Sequence, residues 1–309
     1  MKILGISAGT RNGRNDSICK EALLGAKEAG AEVEFIHLYD LDIKYCTGCN
    51  SCVRQMMSGK GNTCVVKDDF NWLMNEMLEA DGILISAPIF EKGAPAIFHS
   101  LMDRFGPRTD KGMVIAATEI AKKTGGMAPD PRYLKNKVIS YIGIGGSDWM
   151  TRVQCDFSIH AMSPAWKVID NEAFSWSGAI LVEEERIKRA HEIGSNIANA
   201  ARDIENAAYK GESGLCPHCH CREFYFKPEG TVTCCNCGIE GKIEIQDNTY
   251  RFVFADEQLR HAHDSLEGKF IHCDDINVNT EKAMQLMNTP EYREKIAYYQ
   301  NVITAKKPH

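Results

Sequence analysis

The stretch "KILGISAGTRNGRNDSICKEALLGAKEAG" (residues 2–30) joins a short apolar run to an amphipathic segment through a polar loop. Its first six residues predict a buried strand, and its second half predicts a helix that ends on Gly30. The same alternation continues along the chain, with strands predicted at 32–38, 82–88, 137–146 and 166–171 and helices at 68–81, 149–162 and 183–201. This pattern predicts an α/β fold with a doubly wound parallel sheet covered by helices on both faces.

Composition limits the classes of function. The chain has 309 residues, 44% of them hydrophobic and 25% charged, and a formal net charge of -6. This charge argues against a general binder of nucleic acid or anionic membrane. No apolar run is long enough to span a bilayer, and the N-terminal run is too short for a signal peptide. We therefore expect a cytoplasmic protein whose thirteen cysteines are reduced and serve as metal ligands or core residues.

The loop after the first strand, residues 7–17, is rich in Gly, Ser, Thr and Asn and leads into a helix predicted to start near Ser17. Hydroxyls, an arginine and a helix N-terminus at one point are typical of a site for a terminal phosphate. The glycine pattern of dinucleotide folds and the Walker lysine are both missing, which favours a mononucleotide. The alternative is a plain polar loop in which Ser17 caps the helix.

The loop after the third strand, "ISAPIFEKGAPAIFHSLMDRF" (85–105), resembles that of the flavodoxin-like, NAD(P)H-dependent FMN reductases. The resemblance implies a five-stranded parallel sheet in which strand-end loops bind FMN at the switch point of strand order. It assigns the FMN phosphate to Ser7, Thr10, Arg11, Asn15 and Ser17, one side of the flavin ring to Pro88, Ile89, Phe90 and Gly93, and the other side to Gly145, Gly146 and Ser147.

The stretch "YCTGCNSCVRQMMSGKGNTC" (45–64) resembles the cysteine motif of one branch of this superfamily, the iron-sulfur flavoproteins. Three thiolates from one tight loop and a fourth nearby suit a [4Fe-4S] cluster, so the ligands are expected to be Cys46, Cys49, Cys52 and Cys64. The eleven residues between Cys52 and Cys64 are more than the family usually has, although such a loop closes at modest entropic cost. Zinc and a redox dithiol are the alternatives.

A second cysteine region, residues 209–247, contains two C-x2-C pairs separated by fourteen residues. These pairs are typical of a zinc ribbon with the ligands Cys216, Cys219, Cys234 and Cys237. Zn²⁺ would be structural, because so short a segment buries too little apolar surface to fold unaided. Rubredoxin-like iron is the alternative, and His218 or His220 is a substitute ligand. Residues 248–309 predict a polar, helical tail.

Other cysteines and histidines have plainer interpretations. Cys221 and Cys235 are left over in the ribbon, whereas Cys19 and Cys155 stand beside apolar neighbours in predicted helices and are expected to be core thiols. His160 is expected to be a packing residue. A last group is expected to lie on a solvated surface and comprises His261, His263, His272 and Cys273.

A long connection, residues 105–137, lies between the third-strand helix and the fourth strand. It contains a predicted amphipathic helix at 110–123 followed by a mobile elbow. One interpretation is a lid over the flavin, and the other is a surface embellishment or a subunit contact. As a lid it would present a basic surface to an anionic substrate through Arg108, Lys111, Lys122 and Lys123, together with Trp149.

Together these features predict a flavodoxin-like FMN domain (1–208), a zinc ribbon and a helical tail. The resemblance implies an oxidoreductase that passes electrons from ferredoxin or NAD(P)H through the cluster and flavin to a small-molecule acceptor. It also implies a homo-oligomer, either a dimer or a tetramer. No residue is an obvious catalytic acid or nucleophile. The alternatives are an electron carrier or redox sensor without its own substrate, and a zinc-ribbon regulator linked to nucleic acid, which the sparse basic residues of the ribbon disfavour.

Overall fold

A computed structural model describes residues 1–308. The strands are β1 (Lys2–Ser7), β2 (Glu32–His37), β3 (Gly82–Pro88), β4 (Val138–Ile144), β5 (Lys167–Phe174), β6 (Phe224–Phe226), β7 (Val232–Cys234), β8 (Glu240–Gln246) and β9 (Thr249–Val253). The helices are α1 (Arg14–Glu28), α2 (Ser51–Met57), α3 (Phe70–Glu79), α4 (Ala96–Met102), α5 (Gly106–Thr109), α6 (Lys111–Thr124), α7 (Val153–Met162), α8 (Glu184–Arg202), α9 (Leu266–Met287) and α10 (Pro290–Val302).

The first five strands form one parallel sheet in the order β2-β1-β3-β4-β5. The central strands β1, β3 and β4 are buried on both faces, because α1 and α8 cover one side and α3, α4 and α7 cover the other. Ser7 pairs with Ser86 and Pro88 pairs with Ile144, so the carboxyl ends of the central strands reach the same edge. The predicted doubly wound, flavodoxin-like sheet is confirmed, and its strand order reverses at β1 and β3, where ligands bind in such folds.

The start of α1 differs from the prediction. The helix begins at Arg14, and its N-terminal cap is the backbone of Gly13. Ser17 already lies in the first turn, where its hydroxyl donates a hydrogen bond to the carbonyl of Gly13 at 3.1 Å. The interpretation of Ser17 as the helix cap is therefore wrong. The polar residues 14–16 extend the helix because two of them, Asn15 and Asp16, find buried partners.

A second, antiparallel sheet of strands β6 to β9 follows the first domain. It continues to Val253, so β9 falls within the segment that we expected to be helical. Asp247 and Asn248 connect β8 to β9, and both have positive φ values, 51° and 58°. Two such residues in a two-residue connection are typical of a tight hairpin turn.

The tail beyond this sheet is helical, as predicted, and its base is attached to the first domain. The ammonium of Lys269 on α9 donates hydrogen bonds to the Asp110 carboxylate at 2.7 Å and to the Met162 carbonyl at 2.9 Å. Further along, α9 and α10 expose several large apolar side chains. Within residues 1–308, no helix combines the length and the apolar character that crossing a bilayer requires.

Helices α1 and α8 cross so closely that we expect Gly194→Ala to destabilise the fold. A Cβ atom at Gly194 would overlap the carbonyl oxygen of Ala22 and lie 2.9 Å from the amide nitrogen of Ala26. Alanine favours a helix over glycine by about 1 kcal/mol, but moving two backbones apart outweighs this gain. We expect a net loss of about 3 kcal/mol in the free energy of unfolding, measured by urea denaturation.

Gly178→Ala is the matched control, because an added Cβ there meets no atom within 4 Å. Its free energy of unfolding should stay within about 0.5 kcal/mol of the parent's. Equal stability of the two variants would contradict the close crossing of α1 and α8.

Candidate cofactor sites

The loop between β1 and α1 is built around a buried carboxylate. Asp16 accepts hydrogen bonds from the hydroxyl of Ser7 at 2.5 Å and from the backbone N–H of Asn12 at 2.6 Å. Asn15 accepts one from the hydroxyl of Ser86 at 3.1 Å, which ties the loop to β3. The side chains of Ser7 and Asn15 therefore shape the loop from within, a role that the sequence analysis did not foresee.

The groups of this loop that face solvent are suited to binding a phosphate. Thr10 and Arg11 are exposed, and the Arg11 guanidinium pairs with Asp40 beside the loop. A Cβ at Gly13 would lie 2.7 Å from the carbonyl oxygen of Thr10, so only glycine fits this close turn. The first-turn N–H groups of α1, a hydroxyl and a guanidinium form a donor set for a dianion. The residues present thus fit the terminal phosphate of FMN.

The loop after β3 is held rigidly where the flavin ring is expected. Phe90 and Gly93 exchange backbone hydrogen bonds of 3.0 and 2.9 Å, which close a four-residue turn. Asp156 on α7 accepts the N–H of Ala94 at 2.9 Å, and a Cβ at Gly93 would overlap its carboxylate. Ile89 donates its N–H to the carbonyl of Ile144 at 3.0 Å. The loop is thus fixed to both α7 and β4.

The loop after β4 lies beside the end of β5. Gly145 donates to the carbonyl of Phe174 at 2.8 Å and accepts from the N–H of Ser177 at 2.9 Å. A Cβ at Gly146 would meet no atom within 4 Å, so this side is open. Ser147 accepts the N–H of Trp149 at 3.2 Å. The strand-end loops predicted to flank the ring are thus adjacent at one edge of the sheet.

Exposed aromatic side chains follow three of these strand ends. Phe90, Trp149 and Trp176 are 59%, 62% and 63% exposed, respectively. The Lys92 ammonium lies 5.0 Å from the centroid of the Trp149 ring. We call Phe90, Trp149 and Trp176 the aromatic rim. Sequence reasoning missed Trp176, although its position directly after a strand end is a usable signal.

The first cysteine region forms a cavity of its own, with a volume of about 80 Å³. Its lining includes all four predicted cluster ligands and two arginines: Cys46, Cys49, Cys52, Cys64, Arg104 and Arg108. The structure thus brings Cys64 to the same cavity as the C-x2-C-x2-C loop. Four thiols around one space match the donor set of a cubane cluster.

The long connection from Cys52 to Cys64 is ordered rather than loose. Its first half is the helix α2, and the rest turns back along it, with Gln55 donating to the carbonyl of Thr63 at 2.9 Å. Asn62 and Arg108 then exchange hydrogen bonds of 2.8 and 3.1 Å between side chain and backbone. These contacts return the chain to the cavity and place Cys64 against the hydrophobic core.

The surroundings of two cavity cysteines, Cys49 and Cys64, include donors that point at sulfur. Hydrogen bonds from the side chain and backbone of Ser51, together with the Thr47 hydroxyl, lower the pKa of Cys49 to about 7. The buried Arg104 guanidinium donates to the Cys64 sulfur at 3.2 Å and forms an ion pair with Asp68. Burial alone would raise the pKa of Asp68, but hydrogen bonds from Arg104 and from backbone N–H groups lower it. A positive charge next to sulfur complements an anionic cluster.

The ribbon cysteines converge more tightly. The sulfurs of Cys216, Cys219, Cys234 and Cys237 all lie within 4.8 Å of one another. The pair Cys216 and Cys237 is 3.8 Å apart, and the pair Cys219 and Cys234 is 3.5 Å apart. This spacing suits a single tetrahedral ion such as zinc.

The two histidines proposed as substitute ribbon ligands have other partners. His218 is hydrogen-bonded to Asp264 at 2.8 Å, and the ring of His220 stacks on Tyr209 with centroids 4.1 Å apart. The four cysteines alone form the ribbon's donor set.

The basic residues of the connection 105–137 are only partly exposed, whereas a lid over the flavin would present all of them to a substrate. Arg108 is buried, and its guanidinium donates to the Tyr133 hydroxyl at 3.0 Å, so its assignment to a substrate is wrong. Lys111 is half-buried and donates to Asn136 at 2.6 Å. Lys122 and Lys123 are exposed on α6, which packs against α2 and α9. The beginning of this connection instead lines the cysteine cavity.

The structure confirms two further interpretations from the sequence and contradicts a third. Cys19 is fully buried, so its interpretation as a core thiol is confirmed. Cys155 is half-buried against the ribbon rather than in the core of the sheet, so that interpretation is wrong. His160 is buried between Phe98 and Phe105, and burial lowers its pKa to about 3, as for a packing residue.

In the predicted solvated group the three histidines are exposed, as expected, whereas Cys273 is half-buried. His261 and His272 line a polar cavity of about 340 Å³ together with His263. The rings of His263 and His272 lie 5.1 Å apart, and Cys273 contacts Met113.

Comparisons with known proteins identify the family. Residues 1–179 match the family model described as NADPH-dependent FMN reductase. A solved flavone reductase is 54% identical and superposes over 100% of both chains with a TM-score of 0.90. A flavone synthase from Aspergillus candidus is 26% identical over 80% of each chain. An iron-sulfur flavoprotein from Methanocaldococcus jannaschii is 34% identical over 48% of this chain and 78% of its own length. The chain therefore belongs to the NADPH-dependent FMN reductase family, with iron-sulfur flavoproteins among its relatives, and is a flavin-dependent oxidoreductase.

Proposed function

We propose that the protein is an FMN-dependent reductase of a planar conjugated ketone of the flavone class. The observation that carries this proposal is the full-length similarity to a flavone reductase, at 54% identity. A relative named flavone synthase, which covers 80% of the chain, supports the same substrate class. In a flavone, the double bond conjugated to the carbonyl is the bond that a hydride donor reduces. Bound FMN would supply that two-electron chemistry.

The protein's own residues would bind FMN and orient the substrate against it. The N-terminus of α1, with Thr10 and Arg11, would hold the FMN phosphate. The turn at 90–93 would support the ring, because Asp156 fixes it against α7. The aromatic rim offers flat apolar surface with a polar margin, which suits stacking against a planar aromatic ketone. This rim favours an enzyme with its own substrate over a mere electron carrier.

The cysteine cavity would hold a [4Fe-4S] cluster through Cys46, Cys49, Cys52 and Cys64. A cluster there would supply single-electron transfer, which permits ferredoxin as the donor alongside NAD(P)H. Arg104 would position Cys64 and balance the cluster's negative charge. The chemistry of the donor set supports this proposal, since all four cysteines line one cavity and the Arg104 guanidinium donates to the Cys64 sulfur.

The ribbon and tail have structural roles in this proposal. One Zn²⁺ ion on Cys216, Cys219, Cys234 and Cys237 would hold the second sheet together. The many exposed apolar side chains of α9 and α10, among them Ile276, Leu286 and Tyr299, support a homo-oligomer, in which a partner chain would cover them.

The decisive experiment is a turnover assay under anaerobic conditions. Purified protein should be yellow-brown and release FMN, not FAD, on denaturation. With NADH, NADPH or reduced ferredoxin as donor, it should convert flavone to flavanone, detected by chromatography, faster than it reduces quinones or nitroaromatics. Protein that binds FMN and reduces quinones but leaves flavone untouched would refute the substrate class, and protein that cannot be loaded with FMN would refute the whole proposal.

The aromatic rim makes a separate prediction. Trp149→Ala should raise KM for flavone about fivefold, because an aromatic stacking contact contributes about 1 kcal/mol. FMN content should not change. Trp72→Ala is the matched control, since Trp72 is a similarly exposed tryptophan on α3. If Trp149→Ala and Trp176→Ala both keep the parent KM, the rim does not contact the substrate.

A further inference from the structure

A second group of metal-binding side chains lies where the ribbon meets the first domain. The sulfurs of Cys155 and Cys221 and a carboxylate oxygen of Glu223 all lie within 4.8 Å of one another. Cys155 belongs to α7, whereas Cys221 and Glu223 follow the first knuckle of the ribbon. The group therefore joins two parts of the chain that are more than sixty residues apart.

We propose that Cys155, Cys221 and Glu223 bind a second thiophilic divalent cation, Zn²⁺ in the first instance, which links the ribbon to α7. Two sulfurs and one carboxylate are ligands that zinc accepts, and three protein ligands leave the fourth tetrahedral position for water. On binding, the two thiols would release their protons to solvent as the metal–sulfur bonds form.

The arrangement of the three side chains supports this assignment. The Cys221 thiol is 5% exposed and lies 3.2 Å from the Glu223 carboxylate, to which the N–H of Arg222 also donates at 3.2 Å. The Arg222 guanidinium points elsewhere and pairs with Glu212 at 2.7 Å. In residues 1–308 no ion pair involves Glu223, so a half-buried carboxylate stands beside two thiols without a positive partner. A bound cation would supply that charge.

The group shares no residue with the ribbon's own donor set, although Cys221 lies beside one member of that set, Cys234. Cys216, Cys219, Cys234 and Cys237 already provide four sulfurs for one ion. The side chain of Cys155 also packs against the buried core of the ribbon. A metal at this point would therefore act as a crosslink between domains rather than as part of the ribbon's fold.

An ion at this position would also affect the loop after β3, where the flavin ring is expected. Asp156, the residue after Cys155, holds the loop after β3 through the N–H of Ala94 at 2.9 Å. An ion on Cys155 would thus fix the turn of α7 that carries this loop anchor. The proposal does not depend on which substrate the enzyme reduces.

The test is a metal count on the full-length protein after dialysis against a weak chelator, with Cys273→Ser as the control. Cys273 is a half-buried cysteine outside both groups. We expect Cys155→Ser and Glu223→Gln each to hold one zinc ion per chain fewer than the parent, and Cys273→Ser to hold the parent's number. Addition of ZnCl₂ should not restore the missing ion to Cys155→Ser or Glu223→Gln.

Two further measurements keep the proposal falsifiable. With Co²⁺ in place of zinc, Cys155→Ser should lose part of the thiolate-to-metal absorption while keeping the spectrum of a four-thiolate site, which shows that the ribbon is still folded. Zinc content equal to the parent's in both Cys155→Ser and Glu223→Gln would overturn the proposal. So would an intact mass, measured without reductant on anaerobically purified protein, that reveals a disulfide between Cys155 and Cys221.

Discussion

Cys64→Ala should disrupt the proposed [4Fe-4S] cluster in anaerobically prepared protein while leaving FMN bound. Three thiolates leave one iron without a protein ligand, and that iron is lost to water or oxygen. We expect iron to fall from about four per chain to three or fewer, with loss of the broad visible absorbance of the cluster. FMN should remain, because its predicted contacts come from the loops after β1, β3 and β4.

Cys19→Ala is the control for this experiment. Cys19 is fully buried beneath β1, and burial raises the pKa of its thiol, so it is a neutral core residue. Its replacement should reduce stability slightly and leave the iron content unchanged. A full cluster in Cys64→Ala, with loss in Cys19→Ala, would show that the cavity around Cys64 is not the cluster site.

The sheet was predictable because buried parallel strands have a simple signature. The segments 2–7 and 82–88 are apolar, bounded by turn residues, and match β1 and β3 residue for residue. Helix starts were less predictable, because they depend on tertiary partners. Asp16 belongs to α1 only because Ser7 and Asn12 saturate its carboxylate. No local rule reveals that contact.

In the candidate sites, too, local features were predictable and features set by tertiary contacts were not. The spacing of the cysteines was sufficient to group them, since knuckles and tight loops are local structures. The position of Cys64 relative to the other three depends on the contacts of Asn62 and Arg108, which are 46 residues apart, and so lay beyond sequence reasoning. Cys155 was misinterpreted for a similar reason. A helical cysteine beside apolar residues packs equally well against a sheet or against another domain.

The end of the ribbon could have been read correctly. Residues 240–253 alternate apolar and polar side chains around Asp247 and Asn248, two residues that tolerate positive φ. This pattern is a recognisable hairpin signal. It was missed because the helical tail was expected to begin at residue 248, in the middle of this hairpin.

Cys216→Ala should remove zinc and unfold the second sheet. The segment has a small apolar core made largely of the cysteines proposed to bind zinc, with Val232, Ile239 and Phe252. Structural zinc contributes about 10 kcal/mol or more to folding in comparable small domains, which is far more than this core can supply. We expect loss of at least one zinc ion per chain and rapid proteolysis between about residues 210 and 255, whereas the parent is resistant.

The contrast with Cys155→Ser makes this prediction specific. Unfolding of the ribbon displaces Cys221 and Glu223 from Cys155, so Cys216→Ala should lose both zinc ions if the second site exists. Cys155→Ser should lose one ion and remain resistant to proteolysis, and Cys273→Ser should keep both. The iron-sulfur absorbance should survive in all three variants, because the cysteine cavity is built from residues 46–64 and 103–108. A Cys216→Ala protein that keeps its zinc and its resistance to protease would show that the four converging sulfurs do not hold the ribbon together.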